Sequence, residues 1–169
     1  NRLYKNEYFS EPQAFNFGKQ LVKVPGLDGK GKMGKSEGEG NAVFLSDSPE
    51  LIRKKVMKAV TDSGPTVSGQ EKSDAARNLF ELLKLVSTIE TVDFFEAEYN
   101  ACKISYGDLK KQLAEDMIVH NAPIYDRIQE LGADSTYVRE VARMGAAKAR
   151  NSAQKTIKEV RKIIGFKSF

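Results

Sequence analysis

Gly29-Lys30-Gly31-Lys32-Met33-Gly34-Lys35-Ser36 lies between Val24-Pro25-Gly26 and Glu37-Gly38-Glu39-Gly40, and its reading decides what surrounds it. The octet has the spacing G-x-x-x-x-G-K-S of a phosphate-cradling glycine loop. Such a loop works when a strand feeds a glycine turn that runs straight into a helix. The helix N-terminus and backbone N–H groups then hold phosphate, while the hydroxyl ligates magnesium. Gln20-Leu21-Val22-Lys23-Val24, stopped by Pro25-Gly26, reads as the strand. The helix is what the sequence withholds. Two glycines and two carboxylates follow Ser36 within four residues, and each helical glycine costs close to ~1 kcal/mol relative to alanine. A P-loop nucleotidase, which would hydrolyse ATP with magnesium unaided, is thus the weaker reading. What stands is a glycine-rich mobile surface loop over 26–40 that displays lysines.

Beyond Asn41-Ala42-Val43-Phe44-Leu45 the patterning turns helical. Asp47 or Ser48 can cap a helix that begins at Pro49 and Glu50. Leu51, Ile52, Val56, Ala59 and Val60 form its apolar face, with Arg53, Lys54, Lys55 and Lys58 on the solvated remainder. Thr61 to Gln70 has the composition of a linker, and a domain boundary is expected there. Further helices are marked by Leu79, Leu82, Leu83 and Val86, then by Phe94, Phe95 and Tyr99 after a start at Thr91. A longer one runs through Leu109, Leu113, Met117, Ile124, Ile128 and Leu131, with Pro123 expected to kink or split it and free the carbonyl of Val119. A final helix carries Val138, Val141, Val160, Ile163 and Ile164 on one stripe, with small residues about Gly145-Ala146-Ala147 that permit close helix contact. A four-helix bundle of about one hundred residues follows.

Composition narrows the chemistry. The net charge of +4 conceals a division: residues 137–169 carry nine basic side chains against Glu140 and Glu159, whereas 71–136 is acidic. A basic last helix suits either a polyanion or the acidic segment before it. Apolar runs are too short to span a membrane. Cys102 is the single cysteine, which fits a reducing cytosol and a small buried side chain. His120 is the single histidine, so neither a metal set nor a Ser/His/Asp or Cys/His arrangement can be assembled. Chemistry, if present, must involve the glycine loop.

Read from Lys32, the loop is Lys-Met-Gly-Lys-Ser, one letter from the Lys-Met-Ser-Lys-Ser signature of class I aminoacyl-tRNA synthetases. Val24-Pro25-Gly26-Leu27-Asp28-Gly29 leads in. Asn41 to Pro49 and Ile52 to Ser63 lead out. Together they closely resemble the bacterial-type tryptophanyl-tRNA synthetase family, with Ala59-Val60-Thr61-Asp62-Ser63 separating it from the tyrosyl sister family. Asn1-Arg2-Leu3-Tyr4, Glu11-Pro12-Gln13, Tyr106 to Glu115 and Gly145 to Ala149 extend the resemblance over essentially the whole chain.

The resemblance implies a mainly α fold. It gives a C-terminal remnant of a Rossmann-like catalytic domain over 1–70, contributing a short strand and the signature loop, and a helical tRNA-anticodon-binding bundle over 71–169. It implies ATP-dependent activation of tryptophan, with Mg2+, followed by transfer to tRNA in a cytoplasmic homodimer away from any membrane. Lys32 and Lys35 match the two signature lysines, expected to neutralise charge on the departing pyrophosphate. Val24, Met33, Gly34 and Ser36 match the rest of the nucleotide cradle. Gly34 replaces the central serine and removes a hydroxyl, while Gly31 looks inserted, which loosens the match at Val24. Asp108, Lys111, Arg150 and Lys155 are candidates for anticodon-stem contact, although each also fits ordinary helix-surface charge. The family's His-Ile-Gly-His signature and tryptophan pocket are not in these residues, so a catalytically incomplete C-terminal fragment is expected. From another class, a helical RNA-binding module with a flexible basic arm remains the alternative.

Overall fold

The structure, a computed structural model, describes residues 3–15, 23–29, 31–34, 36 and 38–166. Five helices follow one another: α1 (Pro49–Met57), α2 (Asp74–Val86), α3 (Ile89–Asn100), α4 (Tyr106–Ala133) and α5 (Ser135–Ile163). Most begin at a side-chain cap that satisfies an orphan N–H group. Ser48 Oγ accepts from Leu51 N, Ser73 Oγ from Ala76 N, Thr88 Oγ1 from Thr91 N, and Asp134 from Thr136 N and Tyr137 N. Thr88, not Thr91, therefore starts α3, and Ser48 rather than Asp47 starts α1. Among the described residues the only β pairing outside helices is an isolated antiparallel bridge between Pro25 and Lys32. The strand expected at 20–24 lies mostly outside the described residues.

The chain forms two compact units, Val22–Gln129 and Asn1–Leu21 with Glu130–Phe169. In the first, Ile52, Val56 and Ala59 meet Leu79, Phe80, Leu82 and Leu83 of α2, Phe95 and Tyr99 of α3, and Leu109, Leu113 and Met117 of α4. Phe80 and Tyr99 pack edge to face at 5.8 Å. Lys72 Nζ lies 4.6 Å and 4.7 Å from those two ring centroids and pairs with Glu96 at 2.6 Å, so its charge is kept while its stem covers apolar surface. Several expectations change here. Leu51 and Phe94 stay exposed because the helices present a narrower apolar stripe than the sequence offers, and Val60 lies exposed beyond the end of α1. Cys102 is exposed with φ 58°, in a turn after α3 rather than in the core.

α4 runs unbroken through Pro123. Proline removes one helical hydrogen bond, but Leu109, Leu113 and Met117 already fix the turns before it, and the freed carbonyl belongs to the exposed Val119. In the second unit, no residue of α5 is buried. Val138 and Val141 are exposed, and a Cβ added to Gly145 would meet nothing within 4 Å. Val160, Ile163 and Ile164, from the other end of the same stripe, are half-buried. Tyr4, Tyr8 and Phe9 line a cleft of about 200 Å³ with Val160, Ile163 and Ile164 at the end of α5.

Asp62 ties the segment between α1 and α2 to the bundle. Its carboxylate accepts from Tyr106 Oη at 2.6 Å, from Gly64 N at 2.8 Å and from Ser73 Oγ, the residue that caps α2. Burial raises the Asp62 pKa, but the hydrogen bonds from Ser73, Tyr106 and the backbone outweigh it and hold the carboxyl below its usual value. Burial, then the Asp62 carboxylate, pushes the Tyr106 phenol well above its usual range. A carboxyl depressed on folding contributes stability that is complete above the unfolded aspartate pKa, about 3.9, and is lost as pH falls through the folded value. Stability should thus decline on acidification below about pH 4. In Asp62→Asn the decline should be shallower and neutral-pH stability lower, as read by urea unfolding at a series of pH values.

Candidate functional site

The glycine segment is anchored at its base. Leu27 is 4% exposed and belongs to the helical core, and Pro25 and Gly26 beside it are also buried. Val60 N donates to Leu27 O at 2.9 Å, fastening the segment to the exit of α1. Val24 to Gly26 and Gly31 to Met33 pair as the two limbs of a hairpin. Gly26 N donates to Gly31 O at 2.9 Å, Met33 N to Val24 O at 2.8 Å, and Gly31 N to Asp28 Oδ1 at 3.4 Å. Gly29 turns at φ +75°, and a Cβ there would come within 3.2 Å of Ala75 Cβ, so glycine serves both the turn and the close approach to α2. The expectation of a mobile loop over 26–40 is corrected for this first half, since buried backbone with paired N–H and C=O groups is held in place.

Lys32 emerges at the end of this hairpin with an exposed side chain, while its backbone pairs with Pro25. Lys35, the other signature lysine, lies outside the described residues. Met33 and Gly34 are half-buried and Ser36 is exposed. The Val24–Met33 hydrogen bond brings together two of the residues expected to contact nucleotide. Both line a cleft of about 340 Å³ with Val43, Leu45, Leu82 and His120. The hairpin thus lines an apolar recess with Val24 and Met33 and leaves the Lys32 side chain exposed. After Ser36 the next helix is α1, beginning at Pro49, so the chain does not run from loop into helix as a P-loop requires.

The second half of the segment returns through Asn41, which is 5% exposed. Its Oδ1 accepts from Asp28 N at 2.8 Å, its carbonyl accepts from Leu27 N at 3.1 Å, its Nδ2 donates to Lys32 O at 3.4 Å, and its N donates to Gly38 O at 3.1 Å. Next, Lys55 reaches back from α1 to donate to Ala42 O at 2.9 Å and to Asp47 Oδ2 at 2.6 Å, with Nζ 4.5 Å from the Phe44 ring centroid. Asp47 Oδ2 also accepts from Phe44 N at 2.9 Å. Patterning does not single out Asn41, reads Asp47 only as a possible helix cap, and places Lys55 on the solvated face. A polar residue immediately before an apolar run was the one available signal for Asn41.

The nucleic-acid candidates fall into separate groups. Asp108 and Lys111 sit one turn apart on α4 and pair at 3.1 Å. The Ser105 hydrogen bond and then Lys111 hold the Asp108 carboxyl below its usual value. Arg150 and Lys155 are exposed on α5, in the other compact unit. Among the described residues no group of three or more His, Cys, Asp or Glu side chains is placed to hold a metal, and no helix is long and apolar enough to cross a membrane.

The family model for tRNA synthetases class I (W and Y) matches residues 1–120, and the chain belongs to that family. Among the relatives it resembles are a tryptophan–tRNA ligase of Porphyromonas gingivalis, 51% identical over 99% of this chain and 50% of the relative, and tryptophan–tRNA ligase 1 of Streptomyces coelicolor, 42% identical over 79% and 39%. The chain spans about half the length of the curated relatives it matches. A solved tryptophanyl-tRNA synthetase of Campylobacter jejuni, complexed with ADP and tryptophan, shares the fold with a TM-score of 0.67 at 24% identity, covering 88% of this chain and 45% of that one.

The Lys55–Asp47 pair supplies a check on the anchoring. Truncating one partner of a buried ion pair strands the other charge, at a cost of about 3–5 kcal/mol. Lys55→Met should lose stability on that scale in denaturant unfolding, whereas Lys54→Met, one position away and exposed, should change it by under about 0.5 kcal/mol.

Proposed function

We propose that the chain is the loop-and-bundle part of an enzyme that activates tryptophan with ATP and transfers it to tRNA. The observation that carries this is an exposed Lys32 on an anchored hairpin whose Val24 and Met33 line a cleft, in a chain of the tryptophan- and tyrosine-charging family. Tryptophan is favoured over tyrosine by Ala59-Val60-Thr61-Asp62-Ser63 and by the names of the relatives. In this reading residues 1–70 complete the catalytic domain and 71–169 form the anticodon-binding domain.

The donor set fits a nucleotide's phosphates. An exposed ammonium on a fixed main chain can lie against phosphate oxygens without paying for burial, and glycines on either side leave room for close approach. Lys32, with Lys35 and Ser36, would hold ATP phosphates carrying Mg2+, and the nucleotide would supply the phosphoanhydride that is broken. The two ammonium groups neutralise charge that grows on the pyrophosphate side as that bond opens. Gly34 offers only backbone to this work. Asp108 and Lys111 on one helix, and Arg150 and Lys155 on another, are assigned to tRNA, the cations to phosphate and the carboxylate to a base amino group. The assembled enzyme is assigned to the cytoplasm as a homodimer.

Tryptophan-dependent ATP–pyrophosphate exchange tests the proposal. The full-length protein that carries this chain should catalyse it. The 169 residues alone should not, since with one histidine they hold no His-Ile-Gly-His pair. In the full-length protein Lys32→Ala should lower kcat by about 10²–10³ and leave the KM for tryptophan within about twofold, with Lys32→Arg in between. Exchange by the isolated chain, or exchange that follows tyrosine instead of tryptophan, would overturn it.

A further inference from the structure

Asn41 lies across the mouth of the segment, and its contacts converge on the limb that ends in Lys32. Three of them grip the entering strand: Oδ1 takes Asp28 N at 2.8 Å, the main-chain carbonyl takes Leu27 N at 3.1 Å, and Nδ2 gives to Lys32 O at 3.4 Å. A fourth, from Asn41 N to Gly38 O at 3.1 Å, holds the returning strand. The neighbour across from it is Gly26. A Cβ built on Gly26 would fall 2.4 Å from Asn41 Oδ1 and 2.6 Å from Nδ2, closer than real Cβ atoms come. Gly26 and Asn41 are therefore complementary, the missing side chain of one making room for the amide of the other.

We infer that Asn41 is a positioning residue that sets the main-chain location of Lys32, acting through Lys32 on the phosphate-directed ammonium. Carboxamide chemistry is needed here because the site asks for one acceptor and one donor on the same planar group. Aspartate keeps the acceptor toward Asp28 N but turns the other oxygen, an acceptor, toward the carbonyl of Lys32. Alanine removes both bonds and takes from the part-buried N–H of Asp28 its Asn41 acceptor. The inference rests on the phosphate role proposed for Lys32.

The test uses the full-length protein with two readouts. Amide hydrogen exchange reports the clamp directly. Exchange at Asp28 should quicken by at least about tenfold in Asn41→Ala and stay slow in Asn41→Asp, which retains that acceptor. ATP–pyrophosphate exchange reports the consequence. Both variants should lower kcat about 10–100-fold, as small misplacements of a catalytic group do, with the KM for tryptophan unchanged within about twofold. Gly26→Ala should reproduce that kinetic loss from the other side. Combined with Asn41→Ala, where the crowding is relieved, it should add less than its effect alone.

Unchanged Asp28 exchange in Asn41→Ala would overturn the clamp, as would additive losses in the double variant. A fall in tryptophan affinity equal to the fall in kcat would assign Asn41 a general structural role and overturn its positioning of Lys32. If the parent protein shows no tryptophan-dependent exchange, the functional reading fails and the positioning inference falls with it. The amide readout would still show whether Asn41 holds the hairpin.

Discussion

Burial of Leu27 is the constraint on which the presentation of the basic hairpin depends. A single leucine in a glycine-rich stretch is set into the core shared by α1, α2, α3 and α4. Removing it from water is worth about 1.5–3 kcal/mol, whereas ordering each backbone residue costs about 1–2 kcal/mol. Leu27 alone therefore offsets the ordering of one or two residues. The rest of the hairpin needs the hydrogen bonds that surround it, and Asn41 supplies or receives three of them. Anchor and clamp act together: the apolar contact fixes where the segment meets the core, and the amide fixes how the chain leaves it.

Two lysines show how the fold sorts charge. Lys55 is 9% exposed, and its ammonium is met by the Asp47 carboxylate, the Ala42 carbonyl and the face of Phe44. Every donor direction is answered within the protein, so its work is to bind the returning strand to α1. Lys32 has its backbone fixed and its side chain in solvent. An ammonium left hydrated and movable on a rigid base suits an anionic ligand that arrives and departs, because little reorganisation of the main chain accompanies binding.

The helices were legible because caps and apolar spacing coincide. Ser48-Pro49-Glu50 starts α1 where the letters place it, and Leu79, Leu82 and Leu83 are buried on α2 as their spacing requires. Boundaries were less legible. Thr88 and Thr91 are both good caps, and only the backbone at Thr88, φ −73° and ψ 159°, selects between them. α5 shows the limit of periodicity. Its stripe of Val138, Val141, Val160, Ile163 and Ile164 is real, yet none of it is buried within the described chain. An apolar stripe records a preference for a partner surface, not the presence of one.

The sequence by itself determined the family and the helical character, because these rest on local letters: motif spacing, caps and apolar period. Only the tertiary structure decided that Leu27 is a core residue, that Lys55 is internal, and that Asn41 faces Gly26. Several of those facts join positions 13 to 33 residues apart in the chain, such as Asp28 with Asn41 and Leu27 with Val60. No window of propensity or period spans that distance, since contacts of this kind are set by how packed elements bring distant backbone together. The mobile loop suggested by six glycines between 26 and 40 is, over its first half, a hairpin held by its surroundings.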